Sequence, residues 1–193
     1  GFEILTLRAA DATAADDIVV TATNFPGLIT FNNDRSTSNV QITAMATGTS
    51  VNVLGNGSLT NADTTAAYDA AVTTGTLNFK GGVTAGAVAL NGAGLTTVAI
   101  GSSGAANVAG AISTNSAVVT AVTIAAEKAL TTTGLTVANA GAVDASLTIS
   151  GAAADVAATS TAAAHSAVVL GTLDTDFTSV TASGLTAGGV YAT

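Results

Sequence analysis

Large apolar residues recur along this chain in one short phrase: apolar, then small or polar, then apolar. Ile4-Leu5-Thr6-Leu7 is the first example. Leu28-Ile29-Thr30-Phe31, Val51-Asn52-Val53-Leu54 and Thr76-Leu77-Asn78-Phe79 follow it. Thr97-Val98-Ala99-Ile100, Ala121-Val122-Thr123-Ile124 and Ser146-Leu147-Thr148-Ile149 complete the series. Their central apolar residues stand at 5, 29, 51, 77, 98, 122 and 147, a mean spacing of 23.7. Alternation with a period of two marks a half-buried strand. A strand that returns at a near-constant interval marks a repeat architecture.

The stretches between these phrases carry further strands and turns. Ile18-Val19-Val20-Thr21, Val40-Gln41-Ile42-Thr43, Val88-Ala89-Leu90 and Leu135-Thr136-Val137 read as second strands, rich in β-branched residues. Phe25-Pro26-Gly27, Asn32-Asn33-Asp34-Arg35, Asn56-Gly57, Gly81-Gly82 and Asn91-Gly92 read as turns or loops. Residues 58–75 are less regular, and their Ala-rich run suits either one short helix or a long surface loop. Residues 152–164 suit a helical turn, against which their Thr and Ser content argues. Val168-Val169-Leu170 is placed to open an eighth rung. The expected fold is all-β: a parallel β-solenoid of about seven to eight coils of roughly 24 residues, with an antiparallel β-sandwich as the alternative. Recurrence favours the solenoid, because stacked coils need the same apolar position to return. Residues 1–193 are expected to form a single elongated domain. The chain starts at Gly1, and the expectation is a processed part or fragment of a longer protein.

Composition agrees with a narrow core. Ala (43), Thr (34), Gly (21) and Val (20) dominate the 193 residues, with five Phe, two Tyr, one Met and no Trp. A conventional globular core needs more bulk to reach native packing density. Four basic residues face twelve acidic ones, for a formal net charge of −8. This argues against nucleic-acid partners, which need clustered Lys and Arg. No apolar run approaches the roughly 18 residues of a membrane span, so membrane insertion is not expected. With no Cys, disulfides, thiolate metal sites and Cys nucleophiles are excluded.

Candidate chemistry is sparse. Asp11, Asp16 and Asp17 crowd one loop, and Asp174 and Asp176 form an i, i+2 pair near the C-terminus. Oxygen ligands gathered on a loop suit a hard cation, so these five are the candidate calcium ligands. Asp63 and Asp69 are weaker candidates. The alternative is a set of solvated acidic loops. His165 is the only histidine and has no triad or zinc partner near it in sequence. Sugar-cleaving sites need basic and aromatic companions to their carboxylates, and the chain has two arginines and 4% aromatics. The expectation is a non-enzyme. Thr6, Thr30, Thr123 and Thr148 sit at the centres of their phrases and would share an outward face. A flat Thr array could bind ice, but Asn52, Asn78 and Ala99 interrupt it, and the β-propensity of Thr explains it.

Gly1-Phe2-Glu3-Ile4-Leu5-Thr6-Leu7 resembles a recurring phrase of bacterial surface-layer (S-layer) proteins and related giant repetitive surface proteins. Leu95-Thr96-Thr97-Val98-Ala99-Ile100 and the stretch from Phe177 to Leu185 resemble their Leu-Thr-x-Val phrases. Autotransporter passenger domains share this style of sequence. The resemblance implies a β-rich, often solenoidal body, type I export to the extracellular surface, calcium-dependent ordering, and self-assembly into a lattice or fibre. The calcium nonapeptide of such proteins is missing: Gly81-Gly82-Val83-Thr84-Ala85-Gly86 lacks its Asp. The functional expectation is therefore a structural protein of the bacterial cell surface, with itself as partner and cell-surface polysaccharide as a second candidate. The alternative is an adhesin or passenger stalk that binds host or glycan ligands. Neither end of the sequence reads as a polar cap, which predicts end-to-end stacking or continuation into a longer chain.

Overall fold

The computed structural model describes residues 1, 3–10, 17–139, 143–155 and 166–193. They form three parallel sheets wrapped around a shared lumen. The largest has eight strands: β1 (Ile4–Leu7), β3 (Thr30–Asp34), β5 (Ser50–Leu54), β8 (Thr74–Lys80), β11 (Thr97–Ser103), β14 (Ala121–Ala126), β17 (Ala145–Gly151) and β20 (Phe177–Leu185). The second has seven: β2 (Ile18–Thr21), β4 (Val40–Met45), β7 (Thr64–Tyr68), β10 (Val88–Asn91), β13 (Ala111–Thr114), β16 (Gly134–Val137) and β19 (Thr172–Leu173). The third has six: β6 (Thr60–Asn61), β9 (Thr84–Ala85), β12 (Asn107–Val108), β15 (Leu130–Thr131), β18 (Ser166–Val169) and β21 (Gly189–Tyr191).

Each full coil visits the eight-stranded, then the six-stranded, then the seven-stranded sheet, as in β5, β6 and β7. Every recorded strand pairing is parallel. The fold is thus a parallel β-solenoid of about seven turns, and the sandwich alternative falls. Eight strands at ~4.8 Å spacing give the large sheet a height of roughly 34 Å.

Register explains the sequence pattern. One inward column of the large sheet runs Leu5, Phe31, Val51, Leu77, Ile100, Ile124 and Ile149. From Phe31 onward these side chains are almost wholly buried. The sequence phrases set Ile29, Val98, Val122 and Leu147 in this column, two residues out of step with the true neighbours. For Val98, Val122 and Leu147 the error leaves the face intact, because a slip of two keeps a side chain on its side of the sheet; Ile29 precedes β3 and is exposed. The spacings in the true column are 26, 20, 26, 23, 24 and 25 residues.

Three local expectations are corrected. Residues 58–75 hold neither a helix nor one long loop but β6 and β7. There β4 and β10 flank β7 and accept an Ala-rich strand that propensity alone disfavours. Asn32, Asn33 and Asp34 are strand residues of β3, not a loop. Val168 and Val169 do not open an eighth rung; they pair with Leu130 and Thr131 in the six-stranded sheet, and β20 is the eighth strand of the large one. The expected Phe25-Pro26-Gly27 turn forms, with Leu28 N–H donating to the Phe25 carbonyl at 3.1 Å and Gly27 at φ +87°.

Candidate functional site

The predicted acidic ligands do not converge among the described residues. Asp11 and Asp16 lie outside them, as does His165. Asp17 is exposed and precedes β2, at one end of the seven-stranded sheet. Asp174 follows β19 at the opposite end of that sheet, six strand spacings or roughly 29 Å away. The Asp174 carboxylate already has work: Oδ1 accepts the Asp176 N–H at 3.1 Å and Oδ2 accepts the Val137 N–H at 3.3 Å. It closes an Asx turn and ties that turn to the coil below. Asp63 links two coils elsewhere, its Oδ1 accepting the Ala87 N–H at 2.8 Å. No group of three or more His, Cys, Asp or Glu side chains is gathered among the described residues.

What the coil stacking does assemble is a polar ladder on the outside of the large sheet. Asn78 Nδ2 donates to Asn52 Oδ1 at 2.9 Å, Asn52 Nδ2 to Asn32 Oδ1 at 2.8 Å, and Asn32 Nδ2 to Thr6 Oγ1 at 3.1 Å. Parallel in-register pairing places identical side chains one above another, so each amide meets the next with donor facing acceptor. Sequence reasoning treated Asn52 and Asn78 as interruptions of a Thr array. Their recurrence in matching phrases was the available signal. The Thr array itself changes: Thr6 shares the Asn column, while Thr30, Thr76, Thr123, Thr148 and Thr181 share the next one with Ser50 and Ala99.

Corners are held by single asparagines. Asn107 lies almost fully buried. Its Oδ1 accepts the Gly82 and Val83 N–H groups at 3.1 and 2.8 Å, and its Nδ2 donates to Ser102 Oγ at 2.9 Å and the Ala105 carbonyl at 2.8 Å. One side chain thus joins two coils where the chain leaves the large sheet.

The remaining candidates are the ends of the stack. Strands β1 and β2 form one end, and β19, β20 and β21 the other. Their lumen-facing residues Leu5, Leu7, Ile18 and Val20, with Leu173, Phe177 and Val190 opposite, are only partly buried. Ile4 is 62% exposed and Val180 is 50% exposed. Among the described residues, no further strand pairs with the outer edges of these strands. A groove of about 330 Å³ lies beside the first coils between Phe25-Pro26-Gly27 and Ala44–Thr49, with Asp69 as its one charged lining residue.

Comparison with protein-family models, with curated proteins and with solved structures gives no match.

Proposed function

We propose that this protein is a structural module of the bacterial cell surface, a rod that builds a surface layer or fibre by stacking end upon end. The observation that carries the reading is that, among the described residues, β1 and β20 stand at the two edges of the large sheet with one side unpaired. Unpaired strand edges are templates for further strands, and both ends leave apolar lumen residues half covered. A following coil on β20 would cover Val180 as Phe31 covers Leu5. The composition and the Leu-Thr-x-Val phrases support placing it outside a bacterial cell, exported by a type I system. Calcium ordering enters the proposal through exposed carboxylates such as Asp17.

Electron microscopy of the purified chain, with calcium and after chelation, tests this. Filaments or a periodic layer are expected, losing order on chelation. A stable monomer at high concentration in both conditions would sink the assembly reading. Binding of a glycan or host-cell ligand by that monomer would favour an adhesin or passenger stalk instead.

A further inference from the structure

The described lumen is lined mostly by apolar side chains, and buried polar side chains gather where the six-stranded sheet begins. Segment 35–39 takes the place of a strand there, and the large-sheet column advances by only 20 residues from Phe31 to Val51. Asn33, Ser36, Ser38, Asn61 and Thr64 are all buried at this point, Asn33 at 0% and Asn61 at 1% exposure.

The two asparagines are half satisfied. Asn33 Nδ2 donates across the lumen to Thr64 Oγ1 at 2.8 Å, and Asn61 Nδ2 donates to the Leu54 carbonyl at 3.0 Å. Both Oδ1 atoms are buried with no hydrogen-bond partner among the described residues. Both amides flank one stretch of β5: Asn33 pairs with Val53, and Asn61 grips Leu54. A buried amide oxygen left without a donor costs about 1–3 kcal/mol, and native proteins satisfy such groups.

We propose that this compartment is a binding site for structural water, held in the lumen by Asn61 Oδ1 and Asn33 Oδ1. The demand is for donors, and water brings two. A hard cation is disfavoured by the charge. The adjacent carboxylates are engaged elsewhere, Asp34 with Arg35 at 2.7 Å and Asp63 with the Ala87 N–H, leaving neutral oxygens. Water also meets an amide from either end, whereas a cation accepts only oxygen. Buried waters in proteins characteristically bind polar groups that the chain leaves without partners, and the two Oδ1 atoms are such groups. The inference is independent of end-to-end assembly.

Two measurements test it on the intact chain. A high-resolution crystal structure is expected to place an ordered water within 2.7–3.2 Å of Asn61 Oδ1. In solution, the side-chain amide protons of Asn33 and Asn61 are expected to show cross-relaxation with a long-lived water. Asn61→Leu, similar in size and without a polar group, should remove the water from its position and at least halve the Asn33 cross-peak. A dry compartment, a site occupied by a metal ion, or an Asn33 cross-peak unchanged by Asn61→Leu would each overturn the proposal.

Discussion

Gly101 stands directly against the Asn78 carboxamide, where the next rung of the asparagine ladder would be. A Cβ at Gly101 would collide with Asn78 Oδ1. The ladder therefore stops at Asn78 because the following coil offers space instead of a donor. Gly101→Ala is expected to cost about 1–2 kcal/mol, in the range of overpacking strain. The cost should fall below about 0.5 kcal/mol when Asn78 is also Ala. A double-mutant cycle read by chemical denaturation measures that coupling, and additive effects would contradict it.

Tyr68 makes alkaline stability predictable. Its hydroxyl donates to the Thr76 carbonyl at 3.2 Å and accepts the Thr76 N–H at 3.0 Å. Burial pushes its pKa up to about 12, against the lowering effect of the Thr76 hydrogen bond. The folded value lies above the unfolded one, so the neutral phenol is favoured on folding. That contribution is complete below pH ~10 and is lost as pH rises towards ~12, a change of about 2–3 kcal/mol. Tyr68→Phe should flatten this part of the stability profile while costing about 1–2 kcal/mol at neutral pH. Denaturation midpoints of both proteins between pH 8 and 12 give the comparison.

Asn107→Ala should be among the costlier polar truncations. It leaves the buried Gly82 and Val83 N–H groups without their acceptor, worth roughly 2–4 kcal/mol at the usual penalty for each orphaned group. Thr123→Ala on the exposed face of β14 should change stability by less than about 0.5 kcal/mol. Equal losses for the two variants would refute the corner role.

Assembly should be sensitive to charge at the ends alone. Val180→Lys puts an inward-facing charge on the edge strand β20, a device that blocks edge pairing. The variant is expected to sediment as a folded monomer with unchanged circular dichroism. Thr123→Lys, midway along the same sheet, should still assemble. Filaments from Val180→Lys would show that this edge is not used.

The solenoid was legible because one apolar column has to return in every coil, and Leu77, Ile124 and Ile149 do so visibly. The exact register was not. Val98 and Ile100 both face the lumen, and periodicity alone cannot choose between two inward residues of one strand. The strand at Thr64–Tyr68 was hidden because its neighbours in space, not its own Ala-rich sequence, hold it extended. The asparagine ladder was half legible: the repeated Asn was visible, but its meaning depends on a neighbour about 20 to 26 residues away. At Asp174 the sequence does not separate a capping carboxylate from a metal-binding one, because both place an acid on a short loop; the structure adds the turn that its Oδ1 closes.

The hydrogen bonds between coils run along the rod, from Leu5 towards Val180, while the covalent chain runs around it. Tension applied at the two ends therefore loads the ladders in series, and only the weakest coil has to yield at a time. Each release frees one coil of about 24 residues, or about 80 Å of extended chain, while the coils beyond it stay wound because each depends on its neighbours alone. Pulling on single molecules should accordingly give a staircase of nearly equal steps, so that the rod lengthens under load without losing its whole fold at once.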